Sequence, residues 1–271
     1  MWQLALFVVL LSLAGCGKEE QSSARTVVAA FYPLAWASER IAGGGFEVVN
    51  LTPAGAEPHD VELSPRDVEV IGDADLVVYA GGGFQPAVEE AVADRDGPSL
   101  DVLGGARDPH VWLDPVRFAA AVRQIGNAIN RPAAAAGLAS QLTRLDESYR
   151  RGLDDCARRT LVTTHAAFGR LAARYALEQL SLTGSSPEAE PGPRELERLV
   201  DDVRASGATT VFAEPLVSDR LAATVAREAG LDVAVLDPIE SLSEDRIDAG
   251  EDYLSVMRDN LASLRRALGC R

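Results

Sequence analysis

Short apolar runs rich in β-branched residues recur along this chain, separated by longer stretches whose apolar positions fall at helical spacing. Thr26 to Tyr32 is the first such run and predicts a buried strand. Pro33 to Ile41 reads as the helix behind it, ended by Gly43, Gly44 and Gly45. Glu47 to Leu51, Asp75 to Tyr79 and Ser99 to Leu103 are further strands. Helices open at Pro65, with Val68, Val70 and Ile71 on one side, and at Pro86, running to Ala93. Two helical stretches, Pro115 to Asn130 and Pro132 to Leu153, then follow with no strand between them. Alternation resumes with strands at Thr160 to Thr164, Thr209 to Phe212 and Asp232 to Leu236. Helices begin at Ala166, Leu196 and Arg220, and Tyr253 to Leu268 closes the chain. This order predicts an α/β fold of two lobes, each a mostly parallel sheet flanked by helices, joined by a long rigid helix. The expected boundaries are a leader and tether over 1–25, a first lobe over 26–131, a linking helix over 132–155 and a second lobe over 156–271. Ser185 to Pro193 is acidic and proline-rich, and reads as a surface loop.

The N-terminus alters where this fold is expected to work. Leu4 to Leu13 is apolar but too short to span a bilayer, and it suits the core of a signal peptide. Leu13-Ala14-Gly15-Cys16 follows, like the cleavage box of a bacterial lipoprotein, in which the cysteine becomes the lipid-modified first residue. Met1, Trp2 and Gln3 depart from that pattern, since no Lys or Arg precedes the apolar core. The expected location is extracytoplasmic, with Cys16 anchoring the chain to the bacterial cell membrane. Cys156 and Cys270 remain; an even pair without CxxC spacing, in an oxidising compartment, reads as one disulfide.

Among 271 residues the net charge is −15, which argues against nucleic-acid binding and favours the approach of cations. The chain has three histidines: His59, His110 and His165. Each lies at or soon after the end of a predicted strand, and Asp237 ends another. Ligands bind beyond the carboxyl ends of strands in open parallel sheets. Three neutral imidazoles and one carboxylate make a tetrahedral nitrogen–oxygen site suited to zinc. Their wide spacing has none of the specificity of a CxxC pair. Gly81-Gly82-Gly83 lacks any phosphate-binding pattern and reads as a turn.

The flanking residues sharpen this picture. Glu57-Pro58-His59-Asp60 with Ser64-Pro65-Arg66-Asp67, and Asp108-Pro109-His110-Val111-Trp112-Leu113-Asp114-Pro115, occur in that order. Thr164-His165-Ala166-Ala167-Phe168-Gly169 with Tyr175, then Phe212-Ala213-Glu214-Pro215 and Val235-Leu236-Asp237-Pro238, complete the series. Together they resemble the metal-binding solute-binding proteins of zinc and manganese ABC importers, from Val27 to the C-terminus. The resemblance implies metal ligands at His59, His110, His165 and Asp237, two from each lobe, with the metal as transported cargo. It implies an importer permease and its ATPase as partners, and a monomer that is not an enzyme. Manganese members tend to carry a carboxylate where this chain has His165, so His165 favours Zn2+. A manganese carrier is the nearest alternative; a zinc hydrolase or a surface adhesin belongs to another class. Glu214 is the leading candidate to hold the second ring nitrogen of a ligating imidazole, with Glu57 and Asp60 behind it.

Overall fold

The computed structural model describes residues 24–106, 108–184 and 191–271. Cys16 and the apolar stretch before it lie outside these residues, as does most of the expected proline-rich loop. Among the described residues, no helix is long and apolar enough to cross a membrane.

The first lobe is a four-stranded parallel sheet. Its strands are β1 (Arg25–Ala29), β2 (Phe46–Asn50), β3 (Leu76–Tyr79) and β4 (Ser99–Asp101), in the order β2-β1-β3-β4. Val27, Val28 and Ala29 of β1 are fully buried, as a central strand covered on both faces requires. The helices are α1 (Tyr32–Ala42), α2 (Pro65–Asp73), α3 (Pro86–Ala93) and α4 (Pro115–Ala128). Their starts are written in the sequence. Ser64 and Asp67 form a reciprocal capping box on α2. Asp114 caps α4, its Oδ1 accepting the N–H groups of Val116 and Arg117 at 3.0 and 3.2 Å.

Helix α5 (Pro132–Leu153) is 22 residues long, about 33 Å at 1.5 Å per residue. Its buried stripe of Ala135, Leu138, Ala139, Leu142, Leu145, Tyr149 and Leu153 follows helical spacing. It packs closely on α4, where a Cβ on Gly126 would lie 2.3 Å from that of Ala135. The second lobe repeats the first in outline. Strands β5 (Thr160–Thr163), β6 (Glu178–Ser181), β7 (Thr210–Ala213) and β8 (Asp232–Val235) pair in parallel in the order β6-β5-β7-β8. Around them lie α6 (Gly169–Arg174), α7 (Pro193–Ala205), α8 (Arg220–Ala229), α9 (Glu244–Asp248) and α10 (Tyr253–Leu268). Strand β6 and helix α9 were not expected. Glu178-Gln179-Leu180-Ser181 is a half-exposed edge strand with one aliphatic residue, so it lacks the apolar run that marks its neighbours. Helix α1 also starts one residue earlier than the sequence suggested, at Tyr32.

The lobes are tied together at more than α5. Helix α10 crosses back onto the first lobe, where Tyr253 packs on Trp36 and Phe118 at ring-centroid distances of 4.8 and 4.9 Å. Its hydroxyl donates to the carbonyl of Trp112, and Arg40 pairs with Asp252 at 2.6 Å. Tyr149 of α5 donates to the carbonyl of Met257 at 2.6 Å. One hydrophobic core therefore runs through both lobes. A smaller one lies between β5, β7, α7 and α8. Cys156 and Cys270 form a disulfide that closes the chain's end onto the start of the second lobe.

Candidate metal centre

The ends of β2, β4, β5 and β8 face one another across the lobes, and the loops leaving them carry the polar groups of the site. His59 lies between β2 and α2, its ring edge-on to Phe84 at 4.5 Å. His110 follows β4 and starts a single tight turn, Val111–Leu113, ahead of Asp114. His165 directly follows Thr164 at the end of β5. The His59 side chain is 14% exposed, against 1% for His110 and none for His165. The fourth member is Glu240, in the loop after β8 and buried.

These four side chains converge. Their ligand-type atoms all lie within 4.8 Å of one another. Glu240 Oε1 stands 3.4 Å from His59 Nε2, 3.2 Å from His110 Nε2 and 3.5 Å from His165 Nε2. A tetrahedron with metal–ligand bonds of 2.0–2.1 Å has edges of about 3.3 Å, and the three Glu240–histidine separations match that edge. None of the four atoms makes a well-aligned hydrogen bond although all are buried. Buried polar atoms are almost always satisfied, so four unsatisfied ones aimed at a single point mark a cation site.

The far side of two rings faces a carboxylate, through a hydrogen bond at His110 and a close charge contact at His165. His110 Nδ1 is 2.8 Å from Asp108 Oδ1, which also accepts the His110 backbone N–H at 3.1 Å. Arg170 of α6 reaches across from the second lobe, its Nε 2.9 Å from the Asp108 carbonyl and 3.4 Å from Oδ2. His165 Nδ1 is 2.6 Å from Glu214 Oε2, and its N–H donates to Glu214 Oε1 at 3.1 Å. Such contacts orient an imidazole and fix which nitrogen faces the metal. Trp112, wholly buried, walls the site 5.2 Å from the His110 ring.

Asp237 does not join the histidines. Its Oδ1 accepts the N–H of Ile239 at 2.7 Å, and its Oδ2 binds Arg246 Nη1 at 2.7 Å. Asp237, expected to complete the set, stands apart from the cluster, and Glu240, three residues on, is the carboxylate that the structure brings to the histidines, with the left-handed residue Ile239 between the two. A sequence signal for this was present: Glu240 is an acid lodged between Ile239 and Leu242, both fully buried. Glu57 accepts the His59 backbone N–H at 3.2 Å and touches no ring nitrogen, while Asp60 is exposed. Asp108 is the ring partner that the sequence reading passed over.

Charge in the cluster is strongly coupled. Burial pulls the His165 imidazole down, but Glu214 and Glu240 outweigh it and push it up to about 10. Burial likewise opposes protonation of His110, and Asp108 and Glu240 overcome it. Burial would raise Glu240, yet the three imidazoles hold it well below the usual carboxylate range. Burial and the nearby Glu240 push Glu57 up to about 8. The metal-free site thus holds protons where a metal would bind. Because ligation needs neutral imidazoles, zinc entry must expel at least one proton. Apparent zinc affinity should therefore rise about tenfold per pH unit between about 6.5, the ordinary imidazole value, and about 10. The metal-free fold runs the other way: the contribution of protonated His165 is full below about 6.5 and lost as pH rises toward about 10. Calorimetry at several pH values, in buffers of different ionisation enthalpy, measures both the slope and the proton count. A flat profile with no proton release would contradict this account.

The zinc-uptake complex component A, periplasmic (ZnuA) family matches residues 27–267. The chain belongs to this family. Among ZnuA relatives, the zinc-binding lipoprotein AdcA of Streptococcus pneumoniae serotype 4 is 33% identical over 292 residues, covering 94% of this chain and 58% of AdcA. The chain thus spans little more than half the length of that relative. The high-affinity zinc uptake system protein ZnuA of Bacillus subtilis is 29% identical over 308 residues, covering 97% of each chain. The structure of the laminin-binding protein Lmb of Streptococcus agalactiae, described as an adhesin with metal-transporting activity, superposes with a TM-score of 0.82. It is 29% identical and covers 90% of this chain and 99% of its own. The ZnuA family assignment and the two-lobe architecture agree.

Proposed function

We propose that this chain captures Zn2+ between its two lobes outside the cytoplasmic membrane and delivers it to an ABC importer. The observation that carries the reading is the convergence of four buried, unsatisfied ligand atoms within 4.8 Å of one another, the carboxylate 3.2–3.5 Å from each imidazole. His59, His110 and His165 with Glu240 are the ligands. The relatives named as zinc-binding and zinc-uptake proteins support the choice of metal, and three nitrogen donors to one oxygen support zinc over manganese.

Four protein ligands fill a tetrahedral site and leave no position for an activated water, which supports a carrier rather than a hydrolase. The importer permease and its ATPase are the partners. The anchor is Cys16, a reading supported by the lipoprotein name of AdcA. The working unit is a monomer with lobes over 26–131 and 156–271 and the linking helix over 132–155.

Metal enters and leaves past His59, the most exposed of the three rings. Its loop is tied to the Glu240 loop across the cleft: Ser241 Oγ accepts the Gly55 N–H at 2.9 Å and donates to the Pro53 carbonyl at 3.3 Å. With α5, α10 and a shared core restraining the lobes, exchange proceeds by movement of these loops. Binding only to the folded state stabilises by RT ln(1 + [L]/Kd), about 4 kcal/mol at a thousandfold excess over Kd. In a chain of this size that is roughly 8–16 °C in melting temperature. Calorimetric melting of metal-free protein with zinc should show this shift, and manganese at equal concentration should give a much smaller one. An equal or larger shift with manganese would overturn the choice of zinc.

A further inference from the structure

Glu240 reaches the histidines from an unusual stretch of backbone. Ile239, fully buried, has φ of 57°. Branched side chains avoid this left-handed region, so surrounding contacts must impose it. Those contacts centre on Asp237. Asn260 brackets its backbone, Oδ1 accepting the Asp237 N–H at 2.9 Å and Nδ2 donating to its carbonyl at 2.7 Å. Trp112 Nε1 donates to the Pro238 carbonyl at 2.7 Å. The Asp237 carboxylate accepts the Ile239 N–H on one oxygen and binds Arg246 on the other, both at 2.7 Å. Arg246 is itself held by Glu251 Oε2 at 2.9 and 2.8 Å. Asp237 is 3% exposed, so water has little access to replace these bonds.

We infer that Asp237 is the positioning residue for the fourth ligand, holding the Pro238–Ile239 turn so that the Glu240 carboxylate is aimed at the three imidazoles. The inference rests on the four-ligand reading above. If Asp237 is lost, nothing local captures the Ile239 N–H, and the turn relaxes toward negative φ. Glu240 then swings off the tetrahedral position and solvent takes its place.

Co2+ is the probe, because its visible absorption is intense in four-coordinate sites and weak when water raises the coordination number. Wild type should show the intense spectrum. Asp237→Ala should lose most of it and bind zinc about 10- to 100-fold more weakly, the usual cost of removing an outer partner at a metal site. Asp237→Asn keeps an oxygen for the Ile239 N–H but turns an amide NH2 toward Arg246, so it should keep most of the spectrum with a several-fold loss of affinity, like that of Arg246→Ala and smaller than that of Asp237→Ala. Asp237→Ala combined with Ile239→Gly should recover most of the absorption, because glycine adopts positive φ without strain. The inference is overturned if Asp237→Ala keeps the wild-type spectrum, whether or not its stability falls, or if Asn damages the site as much as Ala. Should Asp237→Ala fail to fold, Arg246→Ala decides: a several-fold affinity loss with partial bleaching supports the inference, and no change refutes it. A wild type lacking the four-coordinate spectrum removes the underlying four-ligand reading and this inference with it.

Discussion

Replacing His165 or Glu240 with alanine should each lower zinc affinity by about two orders of magnitude or more. Structural zinc in small proteins is bound with apparent energies of about 10–16 kcal/mol over four ligands, so one ligand is worth roughly 3 kcal/mol, or about a hundredfold. The two losses should differ in character. His165→Ala removes a fully buried ring and leaves the buried Glu214 carboxylate without its imidazole partner, so the metal-free fold should be weakened as well. Glu240→Ala removes the carboxylate that all three imidazoles face, and leaves a fourth position for water. His110 and His165 then lose a partner that raised them, so this variant should release fewer protons on binding zinc. Asp60→Ala, on the exposed side of the His59 loop, is the control and should bind as wild type does. Competition titration against a chelator of known affinity reads all three. Wild-type affinity in either ligand variant would remove that residue from the site.

Loss of the Cys156–Cys270 disulfide should be the largest single change in stability. The bridge spans a sequence separation of 114 residues. The chain-entropy picture assigns a closed loop of that size about 4–5 kcal/mol, as an upper value. Around the bridge the backbone is already paired: Arg158 N–H donates to the Leu268 carbonyl at 3.0 Å, and Arg271 N–H to that of Asp155 at 2.9 Å. Cys156→Ser with Cys270→Ser should therefore fold to the same structure, with its melting temperature lower by roughly 8–20 °C. Zinc affinity should barely move, because the bridge precedes β5 while His165 follows it, at the opposite end of the strand. Denaturant unfolding of the double variant beside the wild type, the latter with and without a reductant, tests this. An unchanged midpoint would show that the native pairing, and not the unfolded chain, carries the constraint.

The elements that the sequence announced are those whose signal is local. Val27, Val28 and Ala29 must be strand because an uninterrupted apolar run fills a central position of a sheet covered on both faces. Ser64 with Asp67, and Asp114 with Pro115, specify helix starts by hydrogen bonds three residues away or fewer. The histidines were legible for a related reason. Each follows a strand, and parallel topology gathers strand ends on one side, so three scattered residues had one place to meet.

Tertiary structure decided what depends on direction rather than on position. Asp237 and Glu240 are three residues apart in one loop, and either type of carboxylate suits zinc; a left-handed backbone at Ile239 selects the second. No local preference predicts that conformation: Asp237 takes the Ile239 N–H, but it is Asn260, Arg246 and Trp112 that hold Asp237 and Pro238 in place to do so. Asp108 is similar: its role at the His110 ring is clear once Arg170 of the opposite lobe is seen to hold it. Strand β6 escaped notice because an edge strand needs few apolar residues, and it pairs only because β5 lies beside it. The sequence alone determined which side chains were available for the metal and which end of each sheet they occupy. Their aim was settled in space: local carboxylates at Asp108 and Asp237 act only because Arg170 and Asn260, far along the chain, hold them, and His165 is oriented by the distant Glu214.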